Sequence, residues 1–173
     1  MDMRGEVITL VDETWGSVHS AVWMPNRRIC FSGVQQESKM GHKTDLWVIS
    51  RRGGAPQCRS AGLVGEVNGG PQGDMPVRLS SRTFISADSR TAWARVQKAG
   101  ATQLWQIALS GAEDCKPLVQ MDASVFTAGV TGDGFVFAAT NWNDPVNLYR
   151  SGWNGENLQK LTHLNETLLN DLL

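Results

Sequence analysis

Polar and apolar residues alternate along this chain in short runs, and the runs are separated by turn residues rather than merging into long stretches of one character. Alternating runs rich in β-branched and aromatic residues predict half-buried strands. The pair Leu46-Trp47 returns as Leu104-Trp105 and again as Leu148-Tyr149, and in each copy a glycine stands seven residues after the leucine, at Gly53, Gly111 and Gly155. A shared offset of this kind predicts a repeated tight turn at a position where the backbone needs positive φ. Upstream of each pair a second turn signal precedes a β-rich run. These are Pro25-Asn26-Arg27-Arg28 before Ile29-Cys30-Phe31, Asp88-Ser89-Arg90 before Ala92-Trp93-Ala94-Arg95-Val96, and Gly132-Asp133-Gly134 before Phe135-Val136-Phe137.

Each copy reads as strand, tight turn, strand, longer loop, strand, glycine turn, strand: four strands in about 40 residues, the pattern of one propeller blade. The expected strands are residues 20–24, 28–33, 45–50 and 56–60 in the first blade, then 83–86, 91–97, 103–108 and 116–119 in the second. In the third they are residues 126–130, 135–140, 147–151 and 158–162. The expected fold class is all-β, a partial β-propeller of about three four-stranded antiparallel blades. Residues 1–17 are the remnant of a preceding blade or a tail, 18–61 a blade, 62–78 an inter-blade loop, 79–122 and 123–164 two more blades, and 165–173 a linker. The stretch 62–78 carries Gly65, Gly69, Gly70, Pro71, Gly73 and Pro76, too much punctuation for a regular element. A second loop, residues 34–44, holds Glu37, Lys39, His42 and Lys43 and reads as a polar connection. A β-sandwich also has strands at short intervals, but its strands need not resemble one another, so the common spacing favours the propeller.

Composition narrows the function classes. The 173 residues suit one architectural unit. Sixteen basic against 17 acidic residues leave a formal charge of −1 with no block of one sign, which is no footprint for nucleic acid. Hydrophobic residues make up 41%, yet the longest apolar run, residues 135–139, is far short of a membrane span. The opening Met1-Asp2-Met3-Arg4-Gly5-Glu6 lacks the basic start and apolar run of a secretory leader, so the expected compartment is cytoplasmic.

Cys30, Cys58 and Cys115 are odd in number and widely spaced, which predicts small buried thiols rather than a disulfide framework or a zinc site. His19, His42 and His163 are equally dispersed, so neither a metal nor any other cofactor is expected. Gly132-Asp133-Gly134 lacks the third glycine of a dinucleotide loop and precedes a strand, and no Gly-Lys-Ser/Thr phosphate loop occurs. The adjacent carboxylates Asp12 with Glu13 and Glu113 with Asp114 would point to opposite faces of a strand and make a poor acid–base pair.

Trp47, Trp93 and Trp105 lie on expected strands, where they would fill the space between blades. Trp142 and Trp153 lie in or beside turns, where a ring either packs over a blade edge or meets a ligand or partner domain. Asn141, Trp142, Asn143 and Asp144 form the candidate rim or partner contact. Beyond them Leu168, Leu169, Leu172 and Leu173 make an apolar tail, which either docks onto another element or forms a short amphipathic helix capped by Asn165.

Three blades do not close a ring, which normally takes four to eight. Both ends of the chain read as cut, so the rest of the ring is expected from another polypeptide, from further copies, or from a longer parent protein. Asp144-Pro145-Val146-Asn147-Leu148-Tyr149, the segment Leu161-Thr162-His163-Leu164-Asn165-Glu166 and the following Leu168-Leu169 resemble the last blade and exit strand of prolyl oligopeptidase family serine peptidases. The acylaminoacyl-peptidase and dipeptidyl-aminopeptidase branch is the nearest in flavour. Trp23-Met24-Pro25-Asn26 and Ile85-Ser86-Ala87-Asp88-Ser89 stand where that family often has a Trp-Ser-Pro-Asp-Gly-like blade turn, degenerate in both copies. The resemblance covers the chain from about residue 18 onward, and the blade turn alone also occurs in Tol-type propellers.

What the resemblance implies is a propeller that covers a C-terminal α/β-hydrolase domain and admits only small peptides. That catalytic domain needs a Gly-x-Ser-x-Gly turn. The glycine pairs of that spacing here, Gly65 with Gly69 and Gly69 with Gly73, have Val67 and Pro71 at their centres. No catalytic residue is therefore assigned, and by the same comparison His163 belongs to the propeller exit.

The first expected function is a non-catalytic propeller fragment that acts as substrate gate and size filter in peptide hydrolysis. Its partners would be the hydrolase domain, docked through Leu168, Leu169 and Leu172, and peptide substrates. The alternative is a stand-alone Tol-like interaction module that completes its ring with a partner or by self-association through open blade faces. A small-molecule propeller enzyme is weaker, since no metal ligands cluster in the sequence.

Overall fold

The computed structural model describes residues 8–12, 14–35, 43–69, 82–111 and 114–170, with the side chains of Leu168 and Asn170 outside that set. Three antiparallel sheets follow one another along the chain. The first is β1 (Trp15–Trp23), β2 (Arg28–Gln35), β3 (Asp45–Ser50) and β4 (Gln57–Cys58), in that order. The second contains β5 (Glu66–Val67), β6 (Phe84–Ile85), β7 (Thr91–Lys98), β8 (Ala101–Ala108) and β9 (Cys115–Pro117). The third is β10 (Ser124–Val130), β11 (Gly134–Thr140), β12 (Asn147–Gly152) and β13 (Gln159–Lys160), again in chain order. A short helix, α1 (Glu166–Asn170), ends the described chain. The fold is a partial β-propeller of three blades.

The turn glycines take the conformation that their spacing predicts. Gly53, Gly111 and Gly155 have φ of 86°, 79° and 85°. The first turns of blades one and two reach positive φ without glycine, at Arg27 (62°) and Ser89 (60°). Side chains hold them: Asn26 Oδ1 accepts the Arg28 N–H at 3.1 Å, and Asp88 Oδ1 accepts the Arg90 N–H at 3.0 Å and the Ser86 hydroxyl at 2.6 Å. The Asn26 N–H also donates to Ser89 Oγ at 3.1 Å and links the two turns.

Three details differ from the sequence reading. Trp15 and Ser17, assigned to the segment before the first blade, are the start of β1, because two register shifts against β2 break the alternation that would have revealed it. Glu66–Val67, assigned to the inter-blade loop, pairs with Gln97 and Val96 at the end of β7, while Phe84–Ile85 pairs with its beginning. The first-strand position of the second blade is thus shared by two short pieces. Between β7 and β8 there is no longer loop: Ala99 (φ 49°) and Gly100 (φ 81°) make a two-residue hairpin, whose left-handed first residue is an alanine and so gave no turn signal.

Alternation along the strands sends successive side chains to opposite neighbours. Cys30, Leu46 and Val48 of blade one meet Ala92, Ala94, Val96, Trp105 and Ile107 of blade two in one buried cluster. Trp93 and Leu104, from the other face of blade two, meet Phe135, Phe137 and Ala139 of blade three in a second. Between these blades Arg95, almost fully buried, donates from Nη1 to the Phe126 carbonyl at 2.7 Å, and burial lowers its guanidinium pKa.

Trp47, Trp93 and Trp105 lie on their expected strands; the last two are buried, and Trp47 donates from Nε1 to the Gly33 carbonyl at 3.1 Å. Cys30 is buried, with its thiol pushed up to about 12, whereas Cys58 and Cys115 are half-buried. Cys30 is therefore expected to ignore a disulfide reagent at pH 8 in the folded chain and to react once urea unfolds it, as a thiol titration would show.

Candidate functional site

The rim loop, residues 141–146, joins β11 to β12 and is built around Asn141. Its Oδ1 accepts the N–H groups of Asn143 at 3.0 Å and Asp144 at 2.7 Å, and its Nδ2 donates to the Asp122 carbonyl at 3.0 Å. That small cage fixes the loop and leaves Trp142 at its tip 98% exposed. Of the two turn tryptophans, Trp153 instead packs between blades, 5.3 Å from Trp93 and 5.0 Å from Phe135 between ring centroids.

Asp144 ties the loop to the outer strand. Its Oδ1 accepts Asn147 Nδ2 at 2.7 Å, and its Oδ2 accepts the Tyr149 hydroxyl at 3.1 Å and Lys160 Nζ at 2.9 Å. The hydrogen bond from Lys160 is the main reason its carboxyl sits below the ordinary value of 3.8. The contribution of this charge is complete above that ordinary value and is lost as pH falls through the lower folded one. Tyr149 is shifted up by burial and by Asp144. Lys160 continues to Glu166 at 3.7 Å, and Glu166 pairs with His163, so the chain of charges runs from the rim to the first turn of α1. His163 is thus engaged by its neighbour in the tail.

Beneath the loop lies Asn147, buried and fully used: Nδ2 donates to Asp144 and, at 3.1 Å, to the Pro145 carbonyl, while Oδ1 accepts Thr162 Oγ1 at 3.0 Å and the Leu164 N–H at 3.1 Å. Thr162 Oγ1 in turn accepts the Leu148 N–H at 2.9 Å. Blade one repeats the device: Ser60 Oγ donates to Asp45 Oδ1 at 2.6 Å and accepts the Leu46 N–H at 2.9 Å. The signal was in the sequence, as Asp or Asn before the Leu-aromatic pair and Ser or Thr fifteen residues later, and it is missing from blade two, where Leu118 stands. Asn147→Leu is expected to cost about 2 kcal/mol in urea unfolding because it removes four part-buried hydrogen bonds at once, against about 1 kcal/mol for Thr162→Val.

The repeat also exposes an unmatched face. Pairing places Leu46 opposite Ser32, Leu104 opposite Arg95 and Leu148 opposite Ala138, so the three leucines are equivalent. Leu46 and Leu104 are 0% exposed under the next blade, whereas Leu148 is 40% exposed and Leu161, whose N–H bonds the Leu148 carbonyl, 41%. Of the apolar tail, Leu169 is half-buried with its N–H on the Asn165 carbonyl at 2.9 Å, Leu164 is exposed, and Leu172 lies outside the described residues. The tail is helical at residues 166–170, as one of its two readings expects. His42, Glu37, Lys39, Glu13 and Glu113 also lie outside the described residues. Among the described residues no group of three or more His, Cys, Asp or Glu side chains is placed to hold a metal ion.

At the opposite end of the sheets, where the β1–β2, β6–β7 and β10–β11 turns lie, a cavity of about 330 Å³ opens between the three blades. Trp23 and Pro25 of blade one, Phe84 and Trp93 of blade two, and Val130 and Trp153 of blade three contribute its main walls. Sequence reasoning missed it because its walls come from segments far apart in the chain.

No protein-family profile matches the chain, and no curated protein does. Solved structures do. An acylaminoacyl peptidase of Pyrococcus horikoshii superimposes with a TM-score of 0.61 at 14% identity, over 89% of this chain and 21% of that one. The β-propeller domain of the Trilobed protease from Pyrococcus furiosus gives 0.61 at 16% identity, over 86% and 40%. A TolB-like protein of Agrobacterium tumefaciens gives 0.58 at 16%, over 81% and 47%. These likenesses establish the propeller fold, of the type found in peptidase and TolB chains, and this chain spans between a fifth and a half of each of those structures' length.

Proposed function

We propose that this chain is a non-catalytic propeller segment of a serine peptidase of the prolyl oligopeptidase family, serving as substrate gate and size filter over a hydrolase domain. The observation that carries the reading is the run of three successive blades that superimposes, over 89% of the chain, on a peptidase of which it spans 21%. The exposed Leu148 face adds to it, since its equivalents in the other blades are covered. Such an arc would narrow access to a cleft by steric exclusion, with the 141–144 rim and the Leu168, Leu169 and Leu172 tail as contacts to the hydrolase domain. The TolB likeness, over 81% of the chain, favours a second reading as an interaction module whose open face is completed by another chain.

The two part in the source cells. An antibody against residues 141–170 should detect a species much heavier than the 173-residue chain, and that species should be labelled by a fluorophosphonate that captures active-site serines. A species of the chain's own mass, unlabelled, contradicts the peptidase reading and leaves the interaction module. The purified chain should hydrolyse neither acyl-peptide nor aminoacyl chromogenic substrates, and serine-inhibitor-sensitive turnover would contradict that.

A further inference from the structure

We propose that two copies of this chain close on each other head to tail, with Trp47 on the first blade of each seated against Leu148 on the third blade of the other. The proposal rests on the reading of the chain as an interaction module and names its partner. The repeat itself shows what covers such a leucine. In the first joint Leu46 of blade one shares a buried cluster with Trp105 of blade two, and in the second Tyr149 of blade three packs against the cluster that holds Leu104 of blade two. Trp105 and Tyr149 occupy the same register position, opposite Ala94 and Phe137. Each joint therefore sets the leucine of one blade against the aromatic residue that follows the equivalent leucine in the next.

The first and third blades carry the two unmatched halves of a further joint of this kind. Leu148 is 40% exposed, beside Leu161 at 41%. Trp47, opposite Phe31, is blade one's equivalent of Trp105 and Tyr149. It is only half-buried and, among the described residues, belongs to neither inter-blade cluster. Its ring meets Trp15 edge-on at 4.9 Å, and Trp15 stands 5.1 Å from Phe31. Because its indole N–H already donates to the Gly33 carbonyl, the surface that Trp47 still offers is apolar. Seating Leu148 of one copy against that ring of the other removes apolar area from water on both sides. The pair makes this contact twice, as two-fold symmetry requires, and twice three blades fall within the usual ring of about four to eight.

The test combines sedimentation velocity of the full chain with the indole N–H signals of the 15N-labelled chain, in which Trp47 is identified by its loss in Trp47→Phe. The expected species is a dimer in reversible exchange with monomer, and the Trp47 signal should shift with chain concentration along the same curve. Leu148→Lys, at an exposed position, puts a lysine in both joints. It should weaken the dimer at least about tenfold and hold the Trp47 signal at its dilute position. A chain that is monomeric at every concentration, polymers beyond the dimer, a dimer that ignores the lysine, or one whose formation leaves the Trp47 signal unmoved each overturns the proposal. The interaction-module reading fails separately, if the species in the source cells is the heavier, serine-labelled one.

Discussion

Phe135→Ala is expected to lower the unfolding free energy by about 3–5 kcal/mol, a large part of the roughly 5–15 kcal/mol available to a domain. Phe135 is fully buried, and its ring centroid lies 5.9 Å from Phe84, 5.4 Å from Trp93 and 5.0 Å from Trp153. It is the ring at which the second and third blades join. Because each blade contacts only its neighbours, the damage should be local. Hydrogen exchange should accelerate first in β10 to β13 and least in β1 to β4, while urea unfolding reports the total loss. If Phe135→Ala shifts the urea midpoint no further than Leu148→Ala, whose side chain is 40% exposed, the joint has been misplaced.

The repeated turn glycines give a sharper comparison. Gly111 and Gly155 share nearly the same backbone, with φ of 79° and 85°. A side chain at Gly111 meets nothing within 4 Å among the described residues, so Gly111→Ala should cost only the left-handed strain of about 1 kcal/mol. At Gly155 the new Cβ collides with the Leu118 carbonyl oxygen, on the last turn of blade two. Gly155→Ala should therefore cost about 2–4 kcal/mol, the strain plus the overpacking. Equal losses in thermal and urea unfolding would mean that the β12–β13 turn does not press on blade two.

The blade plan was legible because a half-buried strand writes its two faces into the sequence and a left-handed turn selects its residues. Gly53, Gly111 and Gly155 fixed the phase of the repeat, and β3, β8 and β12 fell close to the expected positions around their Leu-aromatic pairs. The start of β1 was hidden because its bulges break the alternation at Trp15 and Val18. β5 and the Ala99–Gly100 hairpin were hidden for the opposite reason: two residues are too few to show a period, and an alanine gives no warning of positive φ.

Asn141 to Asp144 share one loop, as their adjacency in the sequence requires, but the sequence did not reveal what holds them. Lys160 and Tyr149 reach Asp144 from strands whose register is set by tertiary pairing. The exposure of Leu148 was equally unreadable, since its two sequence equivalents are wholly buried. Only the position of its blade in the arc makes the difference.

The third blade leaves Leu148 on an apolar face whose equivalents in blades one and two are covered, and we propose that this face is an association surface. Sedimentation velocity of the purified chain over a wide concentration range, beside Leu148→Lys, tests it most directly. The expected result is reversible association of the parent chain and a single species of 173-residue mass for the variant, with unchanged thermal unfolding. A parent chain that stays monomeric throughout, or one whose association ignores the lysine, would contradict the claim.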